Sequence, residues 1–204
     1  MNFLSFDIET SIPVPFKMDW WNHPELLKIA CVSYHATNMA KPYVKHMPDY
    51  SDFTVSKAIS IVRALENFVD SGYTIVTFNG HKFDFRALGA VSGLGDHCLN
   101  LSLNHIDMWA NYFMLTGNRY MSVSKLANLI NMNKFQGMTG KHFPAFWANG
   151  EYEKCLQYSA QDAIVELALA QYVQDNGKFP DRVSIDRLLT VGEIRSKYGE
   201  IFSK

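Results

Sequence analysis

Apolar and polar residues alternate at the start of the chain, and the alternation predicts a strand over residues 3–10. Leu4, Phe6 and Ile8 fall on one side, and Ser5, Asp7 and Glu9 on the other. One face is suited to a core, and the other ends in two neighbouring carboxylates. Residues 26–35 and 42–47 predict two more strands, divided by a polar turn. The first two strands are joined by an irregular segment holding Pro13, Pro15, Phe16, Trp20 and Trp21. The early chain therefore reads as an antiparallel meander with an unusually long, aromatic first connection. Val55, Ala58, Ile59, Val62, Leu65 and Val69 then recur at helical spacing and predict a helix over 54–69, ended by Gly72. Residues 74–78 form an apolar-leaning run, as a buried strand does, and Asn79-Gly80 breaks it. A short helix is expected over 83–91, a brief strand or turn over 105–108, and short helical pieces over 112–115 and 123–130. Residues 135–149 read as a loop, 152–174 as the longest helix, and 183–198 as a last one. Strands first, then strands alternating with helices, predict an α/β fold with a mixed sheet flanked by helices.

Length and composition narrow this picture without changing it. A chain of 204 residues is one ordinary domain, or one domain with a small addition, and buries a substantial core. We expect a domain over 1–176 and a C-terminal helical extension over 177–204 packed on it. Apolar residues make up 48% and aromatics 14%, which excludes a disordered chain. A net charge of −1 excludes a chain-wide basic field, so any nucleic acid would be gripped over a few nucleotides. Cys31, Cys98 and Cys155 are scattered and form no CxxC pair, which suits a reducing cytoplasm and argues against a zinc site or disulfides. The N-terminus opens into the first strand without a signal-like segment, and no apolar run reaches the ~18 residues of a membrane span.

The candidate chemistry lies in acids. Two carboxylates on one rigid strand repel unless a cation sits between them. Magnesium or manganese, which take oxygen ligands, would relieve that repulsion. The plain alternative is a strand leaving the sheet with two solvated acids. Asp84 follows the buried strand, near the strand ends where α/β sheets place their sites; alone, it reads as an acid in the first turn of a helix. Tyr158 and Asp162 lie four residues apart on one helical face; alone, Asp162 reads as a solvated flank and Tyr158 as a core aromatic. Glu166, four residues further on, reads as solvated or ion-paired. The seven histidines show no metal-ligand spacing, so His81, His105 and His142 read as ordinary polar positions. Gly137-x-x-Gly140-Lys141 lacks the spacing of GxxxxGK[ST] and reads as a mobile loop.

Together these residues form a more specific pattern. Asp7-x-Glu9 on a first strand, Asn79-x-x-x-Phe83-Asp84 after a central strand, and Tyr158-x-x-x-Asp162 on a late helix occur in that order. The arrangement resembles the DEDD superfamily of 3′–5′ exonucleases, in the subclass with tyrosine in the third motif. More narrowly, it is similar to stand-alone relatives of the family B DNA polymerase proofreading domain. The likeness runs from about Phe3 to Tyr172, with weaker support from His105-Ile106-Asp107 and from the stretch between Trp147 and Tyr158.

The resemblance implies a ribonuclease H-like fold with a mixed five-stranded sheet, and two Mg2+ or Mn2+ ions as cofactors. By it, Asp7 would bridge both ions. Glu9 and Asp162 would complete the ion that activates water, Asp84 would serve the leaving-group ion, and Tyr158 would orient or deprotonate the water. The substrate would be the 3′ end of single-stranded nucleic acid, DNA before RNA, released as nucleoside 5′-monophosphates. Substrate contacts would fall on Ile8, Thr10, Asn79, Phe83, Phe85, Trp20 and Lys141. Of these, Phe83 and Trp20 read more as packing, and Asn79 could bond either the backbone or the terminal sugar. Homo-oligomers and replication or repair partners are compatible with this reading. The rival readings are an exoribonuclease using the same site and a silent nucleic-acid-binding module. All five motif positions are chemically competent, which counts against the silent module.

Overall fold

The alternation at the N-terminus folds as β1 (Asn2–Thr10), and β1 is the middle strand of a five-stranded sheet of order β3-β2-β1-β4-β5. The structure is a computed structural model that describes residues 1–14, 23, 26–132 and 137–199. β2 (Ile29–Ala36) pairs antiparallel with β1, and β3 (Tyr43–His46) antiparallel with β2. β4 (Tyr73–Thr77) pairs parallel with β1, and β5 (Ile106–Asp107) parallel with β4. The fold is α/β and ribonuclease H-like, a mixed five-stranded sheet with helices on both faces.

β1 sorts its side chains by their alternation. Leu4, Phe6 and Ile8 enter a core with α1 (Val55–Asp70), α2 (Asp84–Ser92) and α3 (Gly95–Asn104). Phe3 enters a second core with α4 (Met108–Thr116), α5 (Val123–Leu129) and α7 (Tyr152–Asn176). Ser5, Asp7 and Glu9 share the α7 side of the sheet, so the polar half of the strand is covered as well. Full burial of one large aliphatic or aromatic side chain contributes about 1.5–3 kcal/mol. Both apolar faces of the sheet therefore hold β1 rigidly, and with it the acids it carries.

Three elements depart from the sequence pattern. The loop expected over 135–149 contains α6 (Phe143–Ala148), which has Pro144 in its first turn and stacks Phe143 on Trp147 at 5.6 Å, one helical turn apart. α3 has no apolar periodicity strong enough to predict it. The helix expected over 183–198 shortens to α8 (Val191–Tyr198), begun by a capping box of Thr190 and Glu193. The residues before it instead make a tight antiparallel turn, with a Lys178–Ser184 bridge and Arg182 at φ 73°. This C-terminal segment lies on α4 and the end of α3: Asn111 bonds both the N–H and the carbonyl of Leu189, and the Val191 N–H donates to the His105 carbonyl. Trp20, with Pro15, Phe16 and Trp21, lies outside the described residues. No described helix is long and apolar enough to cross a membrane.

The connection from β4 to α2 is tight for a definable reason. The Gly80 N–H donates to Thr77 Oγ1 at 3.0 Å, and a side-chain carbon at Gly80 would lie 2.5 Å from that oxygen. Gly80→Ala is therefore expected to lower the unfolding free energy by about 1–3 kcal/mol. Gly95→Ala, in open space at the start of α3, should be neutral or mildly stabilising. Urea unfolding of both variants, monitored by circular dichroism, checks the contrast.

Candidate active site

Ser5 brings the late helix onto the first strand. Its Oγ donates to the Ala163 carbonyl of α7 at 2.7 Å, and the small buried residues Cys155, Ser159 and Ala163 let α7 lie close across β1 and β2. Asp162, next to Ala163, consequently faces the end of β1. Asp7, Glu9 and Asp162 each offer a carboxylate oxygen within 4.8 Å of the others. Asp84 joins them through the backbone. The β1–β4 ladder stops at Ser5–Val76, and the Ile8 N–H beyond it donates to Asp84 Oδ1 at 2.7 Å. The first residue of α2 thus takes a bond that a longer β4 would have made.

The electrostatics of the cluster are unfavourable as they stand. Burial, then the charges of Glu9, Glu166, Asp84 and Asp162, push the Asp7 carboxyl well above the usual carboxylate range. Asp7 keeps part of its surface open, yet its Oδ2 is buried and meets no hydrogen-bond donor among the described residues. Burial also raises Asp84, to about 7, against the lowering effect of the bond from Ile8. An orphaned buried carboxylate oxygen amid four more acids is the donor set a hard divalent cation takes. Asp7, Glu9 and Asp162 could hold one such ion, with Asp84 beside them. The solvated readings of the acids at the end of β1 and of Asp162 do not hold.

Tyr158 is buried one helical turn before Asp162. Burial, the charges of Asp162, Glu9 and Asp7, and a hydrogen bond to Asp162 push its phenol far above its ordinary value. The hydroxyl therefore stays protonated and acts as a donor. The loop before α6 passes over it, since a side-chain carbon at Gly140 would lie 4.0 Å from the Tyr158 oxygen. Lys141 is exposed on the same loop.

The expected substrate contacts are distributed unevenly. Ile8 points its side chain into the core and offers the site only its N–H, while Thr10 is buried at the strand end. Phe83 is half-buried against Val14, Leu27 and Ala87. Phe85 is a correction: it is 2% exposed, packs on Phe6 and His105, and cannot present its ring to a base. Asn79 holds φ +75° and donates its N–H to Asp107 Oδ1 at 2.9 Å.

Three residues are more than their sequence context suggested. Glu166 is 4% exposed, not solvated, on the α7 face toward β1; its spacing of four from Asp162 was the signal. His81 and His105 are buried around Asp107, which accepts the His81 Nδ1 proton. Burial lowers His105 to about 4, leaving it neutral, whereas attraction and hydrogen bonding to His81 outweigh burial and hold Asp107 at about 2. A cavity of about 550 Å3 between α2, α3 and α8 is lined by none of the four clustered acids, so chemistry and not size marks the site.

No protein-family model and no curated protein matches the sequence. Among solved structures, the chain is similar to the family B DNA polymerase of the archaeon Pyrobaculum calidifontis, with a TM-score of 0.61 and 14% identity over 85% of this chain and 24% of the polymerase. It also matches exonuclease I (TM-score 0.45, 15% identity) and E. coli exonuclease I in complex with a dT13 oligonucleotide (TM-score 0.43, 14% identity), each over 85% of this chain and 41% of theirs. The chain thus spans about a quarter of the polymerase and two fifths of the exonuclease. At these identities the likeness is one of fold.

The raised acids set a pH dependence. A carboxyl whose folded value lies near 7 against an ordinary 3.8 favours the folded state when protonated. That stabilisation is complete below about 4 and lost as pH rises through about 7. Asp107 acts oppositely, and only at lower pH: its contribution is present above about 4 and lost as pH falls through about 2. In chelator, the melting temperature is expected to decline from pH 4 to 7 more steeply in the native protein than in Asp7→Asn. At pH 8 the variant should melt higher. A scanning calorimetry series with and without Mg2+ checks this, and Mg2+ should restore only the native protein.

Proposed function

We propose that the protein is a metal-dependent 3′–5′ exonuclease of the DEDD type with a tyrosine in its third motif, acting on single-stranded DNA. The observation that carries the reading is the convergence of Asp7, Glu9 and Asp162 within 4.8 Å, with Asp84 bonded to the strand that bears the first two. A fold shared with a family B DNA polymerase supports it. The 3′ polarity and the DNA preference rest on the likeness of the residue pattern. Residues 1–176 would carry the site, with 177–204 as an extension.

Bound Mg2+ or Mn2+ would supply an activated water, offset the charge of the scissile phosphate and assist the departing oxygen. The chain's own residues hold and orient. Asp7, Glu9 and Asp162 would hold the ions from one rigid strand and one pinned helix. Asp84, fixed by the Ile8 N–H, leaves its other oxygen for a second ion or its water. Tyr158, whose phenol burial and the acids around it hold protonated in the metal-free site, would orient the attacking water. Lys141, exposed on the loop passing over Tyr158, would make at most one phosphate contact.

Oligonucleotides of DNA and RNA labelled at either end, with Mg2+, Mn2+ or chelator, test the whole reading. A 5′ label should give a ladder shortening from the 3′ end, a 3′ label should leave at once as a mononucleotide, and chelator should stop both. Internal cuts or metal-independent cleavage would reject it. Asp162→Ala should be inactive, and Tyr158→Phe slower by about 10²-fold; native turnover in Tyr158→Phe would remove the phenol from the mechanism.

A further inference from the structure

We infer that Asp107 is a positioning residue for Asp84, acting through the Asn79–Gly80–His81 turn. The inference rests on the metal site proposed above.

Asp107 is the last residue of β5, is 0% exposed, and uses both carboxylate oxygens twice. Oδ1 accepts the N–H groups of Asn79 at 2.9 Å and Ala110 at 3.1 Å. Oδ2 accepts the N–H of His81 at 3.3 Å and its ring Nδ1–H. Capping α4 accounts for one of these four bonds, and an uncharged Asn, Ser or Thr serves such a cap equally well. The other three converge on the turn that leads into α2. There Asn79 is held at a positive φ, Gly80 fits only without a side chain, and the Phe85 N–H donates to the Gly80 carbonyl at 3.1 Å. The turn therefore fixes the start of α2, where Asp84 begins its reach to the Ile8 N–H. Displacing a ligating group by about 1 Å can cost about 10²-fold in rate.

An amide at position 107 would turn its NH2 toward two of the four donors and so lose one or two of the three bonds that hold the turn. Partners that orient metal ligands typically change metal affinity by about 10–100-fold when altered. Asp107→Asn should therefore bind Mn2+ about 10–100-fold more weakly in calorimetry without nucleic acid. It should also need correspondingly more Mg2+ for half-maximal hydrolysis. Its affinity for a DNA oligonucleotide in chelator should stay within twofold of native. His81→Gln, which keeps the carboxylate and the backbone bonds, serves as the milder variant and should show a smaller change in the same direction.

A purely structural Asp107 would lower the melting temperature yet leave the Mn2+ affinity of the folded protein unchanged, and that result overturns the inference. Native Mn2+ affinity in His81→Gln overturns it too, should Asp107→Asn not fold. Asp84→Asn is the reference for loss of the ligand itself. If the native protein binds Mn2+ but cleaves no oligonucleotide, the proposed function fails while the effect of Asp107 is still read on Mn2+ binding. If the native protein binds no Mn2+, both fail.

Discussion

Mutual repulsion among carboxylates is the constraint on which this structure turns. Asp7, Glu9 and Asp162 bring oxygens within 4.8 Å of one another, Asp84 is bonded to the same strand, and Glu166 adds its charge from α7. Left to themselves these groups would separate, and the scaffold prevents it. β1 is paired on both sides and packed on both faces, Ser5 ties α7 to it, and the Ile8 N–H holds Asp84. Hydrophobic burial at the other end of the same strand thus stabilises an arrangement that is unfavourable where it matters chemically. A divalent cation reverses the sign of that interaction.

Much of this was legible because the relevant patterns are local. Alternation placed Leu4, Phe6 and Ile8 in the core and Asp7 and Glu9 on the other face, and the register of β1 bears that out. Helical spacing put Tyr158 and Asp162 on one face of α7. Asn79-Gly80 marked the turn before Asp84, and the structure adds why glycine stands there: Thr77 fills the space a side chain would need.

What was not legible depends on contacts between distant segments. Spacing alone could not tell whether Glu166 faced water or β1, because the depth of α7 is set by the bond of Ser5, far away in sequence, to Ala163. His105-Ile106-Asp107 showed two polar residues in a brief strand, but their burial depends on the turn after the neighbouring strand, which Asp107 holds. Phe85 sits one residue from Asp84, yet α2 rotates it by about 100° into the core, against Phe6. Proximity along the chain was a poor guide there, and the helical period a better one. α6 has no readable period because a six-residue helix offers too few positions for one, although Phe143 and Trp147 have the right spacing.

Whether the clustered acids hold a divalent cation can be read from anomalous diffraction by crystals grown with Mn2+. A cation held there gives an anomalous peak within about 2–2.5 Å of Asp7 Oδ2, shared with Glu9 and Asp162. A map without that peak, in which Asp7 Oδ2 instead accepts a hydrogen bond from the protein, would contradict it.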